Sequence, residues 1–369
     1  MTVYLITGAT GVVGSGVAEQ LLRDSDANLR ILVRAGSDHD LRMRVEKLLQ
    51  FWGVTDSELG RRVQAVRGDV TLPQLGMAAE TYRRMTRECT HIIHCAGAVR
   101  MNLPLEEARR SAVTATKNVT ALARACRDNE TLQKVEFVST VGVGGRRLEP
   151  LPERWITEER TFHNTYEQAK AEAEDIVATE IHSGLPATVH RPSMVIGDAQ
   201  TGKVIHFQVF YHLAEFLSGC RTYGLFPTLG QTKLDLVPVD YVARSIVWSS
   251  RCSDMTGRVL HLCTGPSAAL AIGTLRDRVR ARFERAGIRV PHVWTLPNSL
   301  FRGAVSVVGT IVSERNRRAL GTLPIFLDYL AADQTFENVE STRVLTAAGI
   351  ELPQIEQALD NVLTYYLAR

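Results

Sequence analysis

Tyr166 and Lys170 stand four positions apart in Asn164-Thr165-Tyr166-Glu167-Gln168-Ala169-Lys170. If this run opens a helix, phenol and ammonium lie on one face of it. A free tyrosine has a pKa of about 10 and is a sluggish acid or base at neutral pH. A neighbouring ammonium favours the phenolate, which predicts a lowered pKa and a general acid–base role for the pair. Upstream, the strand-like run Val135-Glu136-Phe137-Val138 ends in Ser139-Thr140. A hydroxyl such as that of Thr140 can hold a reacting oxygen beside the tyrosine. Tyr-x-x-x-Lys by itself is a common accident, so its weight depends on what precedes it.

What precedes it reads as a cofactor loop. Val3-Tyr4-Leu5-Ile6 is a short β-rich run, and Thr7-Gly8-Ala9-Thr10-Gly11-Val12-Val13-Gly14 follows at once. A helical pattern through Val17, Ala18, Leu21 and Leu22 comes next. Strand, glycine turn and helix together are the setting in which such glycines mean dinucleotide binding. A backbone without Cβ atoms lets a pyrophosphate lie on the amides of the helix N-terminus. The spacing is Gly-x-x-Gly-x-x-Gly, not the commoner Gly-x-Gly-x-x-Gly. Arg34 ends the second strand, Leu29-Arg30-Ile31-Leu32-Val33. An acidic residue there holds a ribose 2′-hydroxyl, whereas an arginine accommodates a 2′-phosphate, so Arg34 predicts NADP(H) over NAD(H). Arg42 and Arg44 are further candidates for that phosphate.

The elements that must position these groups alternate along the chain. A third strand at 63–66 runs into Gly68-Asp69-Val70, where Asp69 is placed to reach an adenine amino group. A fourth, from His91, opens into Cys95-Ala96-Gly97-Ala98, small enough for ribose and phosphates to approach the backbone. A helix over 106–127 and a strand over 134–139 follow. This alternation predicts an α/β fold, a doubly wound parallel Rossmann sheet with its cofactor along the carboxyl ends of the strands. A smaller, mainly helical C-terminal substrate domain completes it. Residues 1–200 are expected to form the NADP-binding part, with 236–264 returning to it. The substrate-binding subdomain is expected from 201–235 and 265–369. Helices are expected at 203–219, 272–286 and 355–367. The first carries an apolar stripe (Val204, Phe207, Phe210, Tyr211, Leu213, Ala214, Leu217) that reads as core before it reads as an acyl site.

Composition excludes other classes. A net charge of +3 is slight for 369 residues and gives no warrant for nucleic-acid binding. No apolar run approaches the roughly 20 residues that span a bilayer. The apolar run 304–312, followed by Arg315, Arg317 and Arg318, reads as a buried or substrate-facing helix rather than a membrane-surface one. The first strand begins at the third residue, so no secretory or transit segment is expected before the fold. The six cysteines show no paired spacing and predict reduced, packed thiols in a cytoplasmic protein. His91 and His94 sit in a strand and read as non-ligands; no metal site is expected.

With these segments in hand the chain resembles the extended short-chain dehydrogenase/reductases, and within them the thioester reductases. These comprise the terminal reductase domains of nonribosomal peptide and polyketide synthases, the reductase domain of carboxylic acid reductases, and the fatty acyl-CoA reductases. The likeness runs through the loop 7–14, Leu32-Val33-Arg34-Ala35 with Arg44, Gly68-Asp69-Val70-Thr71, the run 91–99, and Phe137-Val138-Ser139-Thr140-Val141. It continues through 164–170, His190-Arg191-Pro192-Ser193-Met194-Val195-Ile196-Gly197-Asp198, Thr201-Gly202 and Leu236-Val237-Pro238-Val239-Asp240-Tyr241. Three residues depart from the family pattern: Ala112 for asparagine, Ala115 for glycine, and Ser193 for glycine beside the nicotinamide. The resemblance implies Thr140, Tyr166 and Lys170 as catalytic residues, with Lys170 on the nicotinamide ribose. It implies Pro192, Ser193 and Val195 as further cofactor contacts. It implies a stand-alone NADPH-dependent reduction of an acyl thioester to an aldehyde, which is released or reduced again to the alcohol. The acyl group would arrive on coenzyme A or an acidic carrier protein, for which Arg146, Arg147, Arg315, Arg317 and Arg318 are candidate docking charges. A dehydrogenase/reductase or epimerase acting on a hydroxyl/ketone pair would use the same triad, and a non-catalytic NADP-binding sensor would be expected to have lost it.

Overall fold

The computed structural model describes residues 1–55, 57–228, 232–297, 300–301 and 334–369. Short β-rich runs form the strands β1 (Val3–Thr7), β2 (Asn28–Val33), β3 (Val63–Arg67), β4 (His91–His94), β5 (Lys134–Val138) and β6 (Ala187–Pro192). With Val259–Leu262 they make one seven-stranded sheet in the order Val259–Leu262, β6, β5, β4, β1, β2, β3. Every pairing in it is parallel. Parallel strands need crossover helices, which cover both faces and account for strands such as β1, β5 and β6 being buried at every position.

Alternation along each strand sends side chains to two separate cores. Tyr4 and Ile6 of β1 meet Val17, Leu21, Val242 and Ile246, on α1 (Val12–Asp24) and the helix Val239–Ser249. α2 (Asp38–Trp52) closes this first face with Trp52, whose indole N–H donates to Ser15 Oγ at 2.9 Å. Val3 and Leu5 meet Val119 and Leu122 on the opposite face, together with Ala169 and Val177 of α3 (Thr165–His182). The strand order reverses at β1, between β4 and β2, so a crevice opens at the carboxyl ends of β1 and β4.

Two expected helices differ in detail. The helix over 106–127 is present as Leu105–Arg109 and Ala115–Asp128, joined by a π-type turn, Arg110–Thr114. The wide turn aims Ser111 at the loop after β4, where its hydroxyl accepts Ala98 N–H at 2.7 Å. Ala112 and Ala115, two of the departures from the family pattern, are buried in and beside this turn. The helix expected at 203–219 spans only Val209–Leu217. Asp198 closes a tight loop over 198–203, its carboxylate taking the N–H groups of Gln200 and Thr201 and its backbone N–H donating to Lys203 O at 3.0 Å, and Gln208 just before the helix is extended. Such side-chain bonds to the backbone compete with helical ones at the start of the expected span. Of the stripe, Phe210, Tyr211, Leu213, Ala214 and Leu217 are core, while Phe207 is 38% exposed.

That core is a third cluster, apart from the two sheet faces. Its walls are Val209–Leu217 and the helices Ile272–Arg285 and Ile355–Leu367. Leu236–Pro238 returns to pair with Met194–Ile196 and leads into the helix that packs on α1. The segment 334–350, expected with the small lobe, packs on the main sheet through Leu345 and Ile350. Its polar groups explain this: Ser341 Oγ accepts His261 N–H at 2.8 Å, and Asn338 Nδ2 donates to Cys263 O at 3.0 Å.

The cysteines at 89, 126 and 263 are buried, and all six are free thiols. Among the described residues no helix is long and apolar enough to cross a membrane. The run 304–312 and Arg315, Arg317 and Arg318 lie outside the described residues. Leu359 is fully buried in the small-lobe cluster. Leu359→Ala is expected to lower unfolding stability by about 2–5 kcal/mol, read as a fall in thermal midpoint, because it removes a fully buried isobutyl group and leaves a cavity in the cluster.

Candidate active site

The crevice begins where β1 ends. Gly8 has φ +76°, and a Cβ there would lie 2.6 Å from Ala96 N. A Cβ on Gly14 would lie 2.3 Å from Gly8 O. Loop, helix start and the segment after β4 are therefore in backbone contact, which only glycine permits. Gly11 caps α1 without a side-chain hydrogen bond, so amides of the first helical turn remain for a ligand. The opposing segment is held by Cys95 N–H on Thr7 O at 3.1 Å and by Thr7 Oγ1 against His94 Nδ1 at 2.7 Å. Burial lowers the His94 pKa to about 3, so this imidazole is neutral and structural.

Across the crevice stands α3. Asn164 starts it, its Oδ1 accepting Glu167 N–H at 3.0 Å, and Glu167 Oε2 accepts His163 N–H at 2.9 Å. This reciprocal cap fixes the first turn, which carries Tyr166. Thr140 follows β5 and begins a short 3₁₀ turn, Val141–Gly144, with its Oγ1 accepting Gly142 N–H at 3.1 Å. Lys170 is buried; its Nζ donates to Val138 O at 2.7 Å and lies 4.7 Å from the centre of the Phe137 ring.

The electrostatics correct one expectation. The phenol of Tyr166 is not lowered: burial pushes its pKa up to about 12, with the Thr140 hydroxyl pulling the other way. The ammonium of Lys170 is directed at Val138 and its own pKa falls to about 8, burial again being the largest cause. At neutral pH the tyrosine keeps its proton and is a hydrogen-bond donor. Beside the Thr140 hydroxyl, this makes a surface that can bind and polarise a carbonyl oxygen.

One cleft brings together Gly11, Val12, Val13 and Gly14, then Cys95, Ala96 and Gly97, then Thr140, Tyr166 and Lys170, and finally Pro192, Ser193 and Val195. Gly8 packs against the backbone of Cys95 and Ala96, and Thr10 is half-buried on the loop. A second concavity, at the ends of β2 and β3, gathers Arg34, Arg44 and Asp69 with Arg67. Val70 is buried, its carbonyl accepting Asn118 Nδ2 at 2.8 Å. Arg44 pairs with Asp40 at 2.9 Å and Arg67 with Asp38 at 3.2 Å. Arg34 is exposed and has no ion pair among the described residues; Arg42 is exposed on α2 outside the concavity. Arg146, a candidate docking charge, is exposed and donates to Phe162 O at 3.3 Å. Among the described residues no cluster of metal-ligating side chains occurs.

Sequence reading misses Arg67, and misses Val99, Met101, Met194, Gln208 and Val209, which extend the cleft with mostly apolar walls. These come from three separate segments, and no spacing links them. It also gives no role to Glu174 and Arg191, a buried bidentate pair at 2.9 and 2.6 Å. Glu174 sits four residues after Lys170, so the helical period is the available signal.

Residues 6–246 match the model of a family described as male sterility protein. A linear gramicidin synthase protein of Brevibacillus parabrevis is 27% identical over 372 residues, which is 98% of this chain and 7% of that protein. L-2-aminoadipate reductase of Schizosaccharomyces pombe is 28% identical over 281 residues, 72% of this chain and 19% of that protein. The chain thus spans a small part of the curated relatives it matches. Among solved structures, the terminal R domain of the myxalamid PKS-NRPS biosynthetic pathway superposes with a TM-score of 0.83 at 26% identity, covering 100% of this chain and 90% of that one.

The glycine contacts give a direct test of nicotinamide dinucleotide binding. In an unconstrained helix Gly→Ala stabilises by about 1 kcal/mol. Gly14→Ala is instead expected to weaken NADPH and NADH binding at least about tenfold, or about 1.4 kcal/mol, in a fluorescence titration.

Proposed function

The chain belongs to the male sterility protein family, in the thioester reductase branch of the extended short-chain dehydrogenase/reductases, and we propose that it reduces an acyl thioester to an aldehyde with NADPH. The observation that carries this reading is the meeting of Thr140, Tyr166 and Lys170 on one wall of the cleft, opposite the glycine loop. The absence of Cβ atoms at Gly8 and Gly14 and the uncapped start of α1 fit a dinucleotide pyrophosphate. When bound, the nicotinamide supplies a hydride. The chain's part is to hold and polarise the acceptor. Tyr166 O–H and Thr140 O–H donate to the thioester carbonyl oxygen, where negative charge develops, and Tyr166 keeps the proton that this oxygen will need. Lys170 would hold the nicotinamide ribose. The hemithioacetal loses its thiol to give the aldehyde, which is released or reduced again to the alcohol.

Arg34, the exposed arginine without an ion pair among the described residues, supports NADPH over NADH, with Arg44 beside it. Asp69 is assigned to the adenine, and Pro192, Ser193 and Val195 to the nicotinamide end. Residues 1–200 with 236–264 form the cofactor part, and 334–350 is added to it because it packs on the main sheet. The remainder of 201–235 and 265–369 forms the substrate part. The acyl group reaches the cleft on coenzyme A or an acidic carrier protein, a reading supported by relatives named as a gramicidin synthase and an aminoadipate reductase.

Absorbance at 340 nm should fall when NADPH and an acyl-coenzyme A or acyl-carrier thioester are supplied, and Tyr166→Phe should lower that rate about 10²–10⁴-fold. Turnover of ketones or secondary alcohols with no thioester accepted would sink the thioester assignment in favour of a hydroxyl/ketone enzyme. Separately, Arg34→Asp should shift preference from NADPH toward NADH in kcat/KM, by about 1–3 kcal/mol if one charge-assisted contact is lost. An unchanged ratio would mean that Arg34 does not read the 2′-phosphate.

A further inference from the structure

Tyr166, Lys170 and Glu174 follow at four-residue intervals, so α3 presents phenol, ammonium and carboxylate in a row. Glu174 is 2% exposed and Arg191, on β6, 0%. Arg191 is anchored away from Glu174 as well: Nη1 donates to Arg154 O at 3.0 Å and to His261 Nε2 at 3.2 Å. His261 is neutral, its pKa lowered to about 3 by burial and by Arg191, and its Nδ1 donates to Glu337 O at 2.6 Å. That tautomer is the one the surrounding bonds assign. Neither Glu174 nor Arg191 lines the cleft. A buried ion pair adds little net stability, because desolvation offsets the attraction. Its place one turn beyond Lys170 calls for another account.

We propose that Glu174 and Arg191 are positioning residues for Lys170: the anchored pair holds one fixed carboxylate behind the ammonium and thereby sets how firmly Lys170 keeps its proton and its place on the Val138 carbonyl. The proposal rests on the reading of Lys170 as a cofactor-contacting member of the active site. Among the described residues the groups facing Lys170 come from three elements. From its own helix come Tyr166 and Glu174; from β4 and the residue after it come neutral His94 and the Cys95 thiol; from β5 come the Phe137 ring and the Val138 carbonyl. Glu174 leads the groups that oppose the downward pull of burial on Lys170, and Cys95 follows. Arg191 keeps Glu174 ionised in turn: despite burial its pKa stays below the usual carboxylate range, through Arg191, the Ser139 hydroxyl and Lys170.

Carboxylate and guanidinium therefore act on Lys170 in series: the carboxylate supports the ammonium, and the guanidinium keeps that carboxylate charged. Removing the Glu174 charge takes away the counter-charge, and the ammonium loses its proton at lower pH. Removing Arg191 takes away the main group that holds Glu174 ionised, so the counter-charge is lost in turn and the ammonium again loses its proton at lower pH.

The test is the alkaline limb of two pH profiles on the full chain: kcat/KM for thioester reduction, and NADPH affinity by cofactor fluorescence. The wild-type limb is expected near pH 8. Glu174→Gln should move it to the acid side by about one unit and Arg191→Gln to the acid side by about half a unit or more, while Glu174→Asp should hold it within about 0.3 unit. Limbs that stay put, or that move to the alkaline side in either neutral variant, would overturn the proposal and leave the pair a packing element. Should the single variants fail to fold, Glu174→Gln/Arg191→Gln leaves no buried charge unpaired and must still shift the limb to the acid side; an unmoved limb overturns the proposal there too. The fluorescence profile separates this from the function it rests on. A chain that binds NADPH with these limbs but reduces no thioester supports the pairing and removes only the substrate assignment.

Discussion

Three backbone segments meet at the end of β1 with no room for a methyl group between them, and the rest of the site depends on that contact. Gly8 lies against the backbone of Cys95 and Ala96, and Gly14 against Gly8. The contact sets the start of α1 against the end of β4, next to the point where strand order reverses. Parallel pairing does the remainder: because β1, β4, β5 and β6 point the same way, their carboxyl ends reach one edge together. Thr140 and the 192–195 segment arrive at that edge at the ends of β5 and β6, the latter held by Ser193 N–H on Leu262 O at 3.1 Å and by the pairing of Met194–Ile196 with Leu236–Pro238.

Burial then decides the chemistry of the groups so gathered. A phenol and an ammonium in water would titrate near their ordinary values, but here the charged form of each is disfavoured. The result is a protonated tyrosine next to a threonine hydroxyl, suited to receiving charge on a carbonyl oxygen rather than to withdrawing a proton. Lys170 tolerates its burial because a carbonyl, an aromatic face and a carboxylate surround it.

Polar ties also join distant parts of the chain to the sheet. Glu153 accepts the N–H groups of Glu340 and Ser341, Ser341 in turn accepts from His261, and His261 accepts from Arg191. The segment 334–350 is thereby fixed to the strand ends by bonds between groups far apart in sequence. Hydrophobic periodicity carries no trace of such ties, which is why the sequence pattern places this segment with the small lobe and the structure places it on the main sheet.

Much of the fold is written locally. Strand, glycine turn and helix at 3–24, the Asn164 cap before Tyr166, and the helix Ile355–Leu367 each follow from short-range rules of Cβ sterics, capping and periodicity. The catalytic candidates are legible for the same reason, since four-residue spacing is a property of one helix. The late start of the helix in the 203–219 pattern, the apolar walls at Met101, Met194 and Val209, and Arg67 beside Arg34 are not legible. The first turns on a tight loop at 198–203 and an extended Gln208 ahead of the helix, and the others on segments brought together by the sheet. The sequence by itself determined which groups are available and on which elements they ride. Only the tertiary structure decided their protonation and their neighbours, because desolvation and long-range ion pairing exist only once the chain has closed around them.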